Sequence, residues 1–196
     1  MWRSRRCAVL VGRNLGIRIA TLEDASFLAD WFSNPETLGK FYNVWPSTRV
    51  HWEQTLSERS GSRERGGFYL IMHPESPSPV GVCGYFNPFT MWELFRGVEL
   101  WGQIHPQFRA RGFATQSACL MINHLFNALP LERIQATIVV GNEPSCRAAE
   151  AIGMRKEGTY RDVSFLHGRY VDMELYSIVR SDWQSEEVYR QDRPPF

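Results

Sequence analysis

The stretch His105-Pro-Gln-Phe-Arg109-Ala-Arg111-Gly112-Phe113-Ala114-Thr115 separates two patterns of different period, and that change decides the fold class. Before it, Val98, Leu100, Gly102 and Ile104 alternate with Glu99, Trp101 and Gln103, the period of a strand with opposite chemistry on its two faces. After it, Ala114, Ala118, Met121, Ile122, Leu125, Phe126 and Leu129 share one helical face until Pro130 stops the run. A strand therefore feeds through a glycine-bearing loop into the strongest helix of the chain. The free N–H groups of a helix's first turn and the positive end of its dipole make an anion site, and Gly112 and Ala114 let backbone approach a ligand closely. Arg109 and Arg111 add charge there, which makes a pyrophosphate the natural guest. A solvated basic loop is the bland alternative.

Outward from this centre the elements alternate. Toward the C-terminus, Ile134, Ala136, Ile138 and Val140 read as a strand, and Pro144 to Ile152 as a short helix with Gly153 at its C-terminal cap. Met154–Thr159 and Tyr170–Val179 are two further strands joined across His167-Gly168. Toward the N-terminus, Val80–Phe86 and Phe68–Met72 are short β-rich runs joined by a proline-rich connection, and a helix is expected over residues 48–59. Thr21 to Asp24 is a capping-box variant that opens a helix carrying Ala25, Leu28 and Phe32 on one stripe, after a first strand at Ile17–Ala20. Residues 1–16 read as an N-terminal extension, 17–180 as one domain, and 181–196 as a polar C-terminal tail. The expected class is mixed α/β.

With 196 residues, 43% of them hydrophobic and 22% charged, the chain is long enough for one domain with a real core. Its net charge of +1 gives no overall electrostatic footprint for nucleic acid or membrane, so neither is an expected partner. Cys7, Cys83, Cys119 and Cys146 form no CxxC pair, and buried reduced thiols are expected, which favours the cytoplasm. No export signal or membrane span is read. The five histidines and four cysteines show no ligand spacing, so no metal is expected. The signatures GxSxG, GxxxxGK[ST], HExxH and GxGxxG are all missing.

Arg109-x-x-Gly112-x-Ala114 resembles the [Q/R]xxGx[G/A] acyl-CoA loop of the GNAT N-acetyltransferase superfamily. Asn142-Glu-Pro-Ser145 followed by Ala148 to Gly153-Met154 is similar to that family's NxxS...GF segment, and Ile17–Asp24 and Gly168–Ser177 look like its opening and closing elements. The resemblance covers roughly residues 17–180 and is closest to the ribosomal-protein and peptide N-terminal acetyltransferases. It implies a mostly antiparallel central sheet whose central strands splay between Ile104 and Val140, with flanking helices and acetyl-CoA as cosubstrate.

The same resemblance implies roles for single residues. Backbone around Ile104 would hold pantetheine and the thioester oxygen. Arg109, Arg111, Gly112, Phe113, Ala114 and Thr115 would take the pyrophosphate, and Asn142 would hydrogen-bond the cofactor arm. An alkyl ammonium must lose a proton before it attacks, and Glu99, the only carboxylate on its strand, is the candidate base. Where many relatives carry a proton-donating tyrosine this chain has Ala149, so Ser145 is the candidate acid, with Tyr160 and Tyr170 behind it. His105 reads as a loop residue. The implied reaction is direct attack by a primary amine in a ternary complex, the acceptor being a protein or peptide N-terminus. A small amine such as an antibiotic, amino acid or polyamine is the alternative acceptor, and a non-catalytic acyl-CoA-binding module the alternative function. Phe41, Tyr42, Trp45, Trp52, Phe89 and Trp92 are expected either to flank the acceptor channel or to serve the core or a homodimer contact.

Overall fold

Strands Leu10–Val11 (β1), Gly16–Ile19 (β2), Gly67–Met72 (β3), Gly81–Phe86 (β4) and Gly97–Ile104 (β5) pair antiparallel in chain order. Arg133–Val139 (β6) then lies parallel to β5, and beyond it come Arg169–Val179 (β8) and, at the edge, Arg155–Leu166 (β7), both antiparallel. This computed structural model describes residues 10–59, 66–86 and 97–183. Cys7, Phe89 and Trp92, the start of the N-terminal extension and most of the C-terminal tail lie outside the described residues.

Strand alternation sorts the core into two layers. Tyr69, Ile71, Cys83, Tyr85, Val98, Leu100, Ile134 and Ile138 face one way and pack under the helices Phe113–Ala128 (α4) and Glu143–Ala151 (α5). Leu70 and Val82, one residue out of phase, face the other way and meet Ala25–Ser33 (α1), Pro35–Leu38 (α2) and Arg49–Arg59 (α3). Trp52 is buried there, stacked on Phe32 with ring centroids 4.9 Å apart, so its place is in the core.

Polar contacts hold the element ends. The Asp24 carboxylate takes both Arg18 nitrogens at 2.7 Å and the Thr21 N–H at 2.8 Å, which fixes the entry to α1. Burial works to raise the Asp24 pKa, but the Arg18 hydrogen bonds and charge, with Thr21, hold it below the usual carboxylate value. Arg180 donates to the carbonyls of Phe126, Leu129 and Leu131 at 2.7–2.9 Å, satisfying acceptors that the end of α4 leaves open.

Three elements differ from the sequence expectation. The short helix α2 forms because the Asn34 side chain accepts from the Glu36 and Thr37 N–H groups, with Pro35 in the first turn. Strand β7 runs on to Leu166, well past Thr159, because register shifts between Lys156 and Gly158 and between Tyr160 and Ser164 break the alternation while β8 keeps pairing with it. Strand β1 lies within the stretch read as an extension.

Candidate active site

The parallel contact of β5 with β6 lasts only from Gly97/Arg133 to Glu99/Gln135. Beyond it β5 continues to Ile104 and β6 to Val139 with no ladder between them, the splay that the family resemblance implies. The His105 N–H donates to Val80 O on the β4 side at 2.9 Å, so strand alternation turns the backbone groups of Gly102 and Ile104 toward the gap. The Ile104 carbonyl already accepts from Arg109 Nε at 2.9 Å. Its N–H and both polar groups of the exposed Gly102 remain to meet an extended ligand arm.

At the open end of the gap the loop before α4 contains two left-handed residues, Ala110 (φ 59°) and Gly112 (φ 75°). Such alternation turns successive N–H groups to one side. Gly112 is the N-cap and offers no side-chain acceptor, while Gln116 makes the first helical bond back to Gly112 O. The N–H groups of Phe113, Ala114 and Thr115 are thus left without an acceptor from the cap or the preceding turn. A Cβ added at Gly112 would meet nothing within 4 Å, so the space in front of the helix end is open. A sixteen-residue helix with a bare, glycine-capped N-terminus fits a pyrophosphate. The phenyl ring of Phe113 is buried in the core and leaves only its backbone for that purpose.

The two arginines divide. Arg109 spends Nε on Ile104 O and Nη2 on Thr37 O (2.7 Å), tying α2 to the loop. Arg111 lies over the Phe108 ring at 5.4 Å and makes no ion pair among the described residues, so it is the freer charge at the loop.

Glu99 stands where the strands part, on the same face as Trp101 and Gln103 and opposite α4 and α5. It accepts from Thr137 Oγ1 at 2.5 Å and from Gln135 Nε2 at 3.2 Å, and among the described residues it has no cationic partner. Gln135 and Thr137 escaped the sequence reading; their only signal was their position across the gap from Glu99, which requires the register. Arg133 forms a two-pronged contact with Glu157, and these hydrogen bonds, with that from Ser177, lower the Glu157 pKa to about 2 against some desolvation.

Across the gap, Asn142 precedes α5 and its carbonyl accepts from Ser145 and Cys146 N–H at 3.0 and 3.1 Å. The Asn142 amide and the Ser145 hydroxyl are half-buried with no hydrogen-bond partner among the described residues. Ala149 is buried in the core, and Tyr160 and Tyr170 sit on the β7–β8 hairpin, Tyr170 63% exposed and against Phe165. Tyr176 is buried below α5, with its hydroxyl within reach of the Glu150 and Glu174 carboxylates at 3.4 and 3.3 Å, able to donate to one of them at a time. Burial and the neighbouring Cys146 and acidic groups push its pKa up. His105 serves the loop, its Nδ1 accepting from Gln107 N–H at 3.4 Å.

Residues 39–48 cross the gap on the Glu99 face. At one end Arg109 grips Thr37 O, and further along Asn43 donates to Phe165 O (2.6 Å) and accepts from His167 N–H (3.2 Å), while His167 Nε2 lies 3.1 Å from Lys40 O. This segment carries Phe41, Tyr42 and Trp45. Burial of its phenol end raises the Tyr42 pKa, offset in part by Gln103 and Arg109, which locates that hydroxyl beside β5.

A family model described as the acetyltransferase (GNAT) domain matches residues 14–155. The uncharacterized N-acetyltransferase p20 of Bacillus licheniformis is 28% identical over 179 residues, 89% of this chain and 97% of its own length. The putative ribosomal N-acetyltransferase YdaF of Bacillus subtilis (strain 168) is 27% identical over 182 residues, 90% of this chain and 97% of its own. Among solved structures, a ribosomal-protein-S5-alanine acetyltransferase from Vibrio fischeri superposes with a TM-score of 0.78 at 21% identity, covering 89% of this chain and 97% of that one. Spermidine N-acetyltransferase from Vibrio cholerae, in complex with CoA and spermine, gives 0.75 at 19% identity, covering 86% and 97%.

Proposed function

The chain belongs to the GNAT acetyltransferase family and is an acetyl-CoA-dependent N-acetyltransferase, and from that premise we propose that its acceptor is the α-amine of a protein or peptide N-terminus. The observation that supports this reading is the segment 39–48, tied by Asn43 to the β7–β8 hairpin and reaching Gln103 through Tyr42, on the sheet face that also carries Glu99, a carboxylate with no cationic partner among the described residues. The similarity to a putative ribosomal N-acetyltransferase points the same way. A polyamine is the competing acceptor, favoured by the likeness to spermidine N-acetyltransferase, but its several charges call for several carboxylates. Glu157, which reaches this face beside Ser177, is already paired with Arg133.

Acetyl-CoA supplies the acetyl group as a thioester. The first-turn N–H groups at Phe113 to Thr115, with Arg111, hold the pyrophosphate, while Arg109 keeps the loop in place. Backbone N–H at Gly102 and Ile104 and the Asn142 amide hold the arm, one β5 N–H polarising the thioester carbonyl. Glu99, directly or through one water, takes the proton of the amine as the N–C bond forms, and Ser145 passes its proton to the sulfur as the C–S bond breaks while taking one from solvent water, so that no alkoxide is left. No covalent enzyme intermediate is needed.

Release of CoA thiol measured with an unblocked peptide, the same peptide N-terminally blocked but carrying an internal lysine, and spermidine tests the acceptor. The unblocked peptide is expected to turn over and the blocked one not to. Turnover of spermidine alone would transfer the assignment to small amines, and no turnover with any primary amine would favour the non-catalytic acyl-CoA-binding reading.

A further inference from the structure

A second cleft of about 460 Å³ opens between α1, α2, the connection 73–80 and the residues just after β5. Four of its lining side chains form a continuous run of rings: Phe27 to Trp31 at 5.5 Å, Trp31 to His105 at 5.9 Å, and His105 to Phe108 at 6.2 Å between centroids. The run is held in place, since Trp31 Nε1 donates to Gln103 Oε1 at 2.9 Å. At the Phe108 end the Arg111 guanidinium already lies over the ring; Trp31 is buried and shows only its edge, so the half-buried Phe27 and His105 rings on either side of it are what a ligand meets.

Two carboxylates, Asp30 and Glu75, line the same cleft, and neither has an ion-pair or hydrogen-bond partner among the described residues. Thr37 also borders it, its residue buried and its backbone carbonyl taken by Arg109. Aromatic faces attract cations through their quadrupoles, and a nearby carboxylate adds direct charge complementarity. An anion would face both acids, whereas a cation gains from them. We propose that this cleft binds a small organic cation, an alkylated or quaternary ammonium, at a site separate from the acetyl-transfer gap. The site abuts the phosphate loop through His105, Phe108 and the Arg109 hydrogen bond to Thr37 O, so an occupant would stiffen the loop that receives the cosubstrate.

The test uses choline, which has no N–H for acetylation, and its uncharged isostere 3,3-dimethylbutan-1-ol, each titrated by calorimetry into the full chain. Saturable choline binding in the millimolar range or tighter is expected, with the isostere weaker by about tenfold or more, the size of effect a cation–π contact with a charge partner carries. Asp30→Asn combined with Glu75→Gln should weaken choline by a similar factor while acetyl-CoA affinity stays near wild type, both side chains being exposed. Absence of choline binding, equal binding of the isostere, or a double variant that binds choline as well as wild type would each overturn the proposal. Should the double variant fold poorly, the comparison of choline with its isostere on the wild-type chain decides.

Discussion

Replacing Glu99 by glutamine removes a base while leaving its neighbours satisfied, and the hydrogen bonds around it show why. Gln135 must keep donating to position 99, because its own Oε1 accepts from Arg133 Nε at 3.3 Å. Thr137 is free to reverse, since a hydroxyl both donates and accepts. In Glu99→Gln the new carbonyl therefore faces Gln135 and one new amide N–H faces Thr137, while the Thr137 O–H and the second amide N–H turn to the open gap. Stability should change by less than about 1 kcal/mol, and acetyl-CoA affinity should hold. The rate should not. Losing a general base typically costs ~10² to 10⁴ in turnover, equivalent to about 3–5 kcal/mol of barrier. The variant would depend on amine that is already neutral, so its deficit should be largest near pH 6 and shrink as pH approaches the α-amine value of ~8. Initial rates of CoA release from pH 6 to 9, with thermal melts as control, measure this. A loss below about fivefold that is the same at both ends of the range would refute Glu99 as the base.

Three further outcomes follow from the same geometry. Gly112→Asn places a side chain that tolerates the left-handed backbone into the open space before α4; it should cost about 1 kcal/mol of stability at most but weaken acetyl-CoA binding by about tenfold or more in calorimetry, and unchanged affinity would remove the loop from the phosphate site. Ser145→Ala should slow turnover by roughly tenfold, less than the glutamate change, and the deficit should vanish with a thioester of a more acidic thiol; a deficit that persists would make the serine a positioning group. Glu157 has a folded pKa of about 2, below its unfolded value, so its contact with Arg133 contributes stability above the unfolded pKa that is lost as pH falls from about 4.5 through 2; melts of Glu157→Gln should lose less over that window than wild type, by a fraction of a kcal/mol for so exposed a pair.

The parts of the fold legible in the sequence were those with long, unbroken periods. Residues 98–104 and 114–129 mark β5, the loop and α4 to within a residue because every second, or every third and fourth, position is apolar. Strand β7 was cut short because its bulges reset the alternation, information that only its partner strand supplies. The helix α2 had a local signal in Asn34-Pro35, but at four residues it shows no period. At the site, Glu99, the loop and Asn142 could be named from their place relative to motifs. Thr137 and Gln135 could not, since what makes them relevant is the parallel register with β5. Arg109 illustrates the converse: its charge is plain in the sequence, but its use on the Ile104 and Thr37 carbonyls depends on how α2 meets the loop.

Amide hydrogen exchange with and without acetyl-CoA tests most directly where the cosubstrate lies. Protection is expected at Gly102 and Ile104 on the open edge of β5 and at Phe113, Ala114 and Thr115 in the first turn of α4, with little change along β2 and β3. Saturating acetyl-CoA that leaves exchange at both the β5 edge and the α4 start unaltered would contradict a cosubstrate held between the splayed strands.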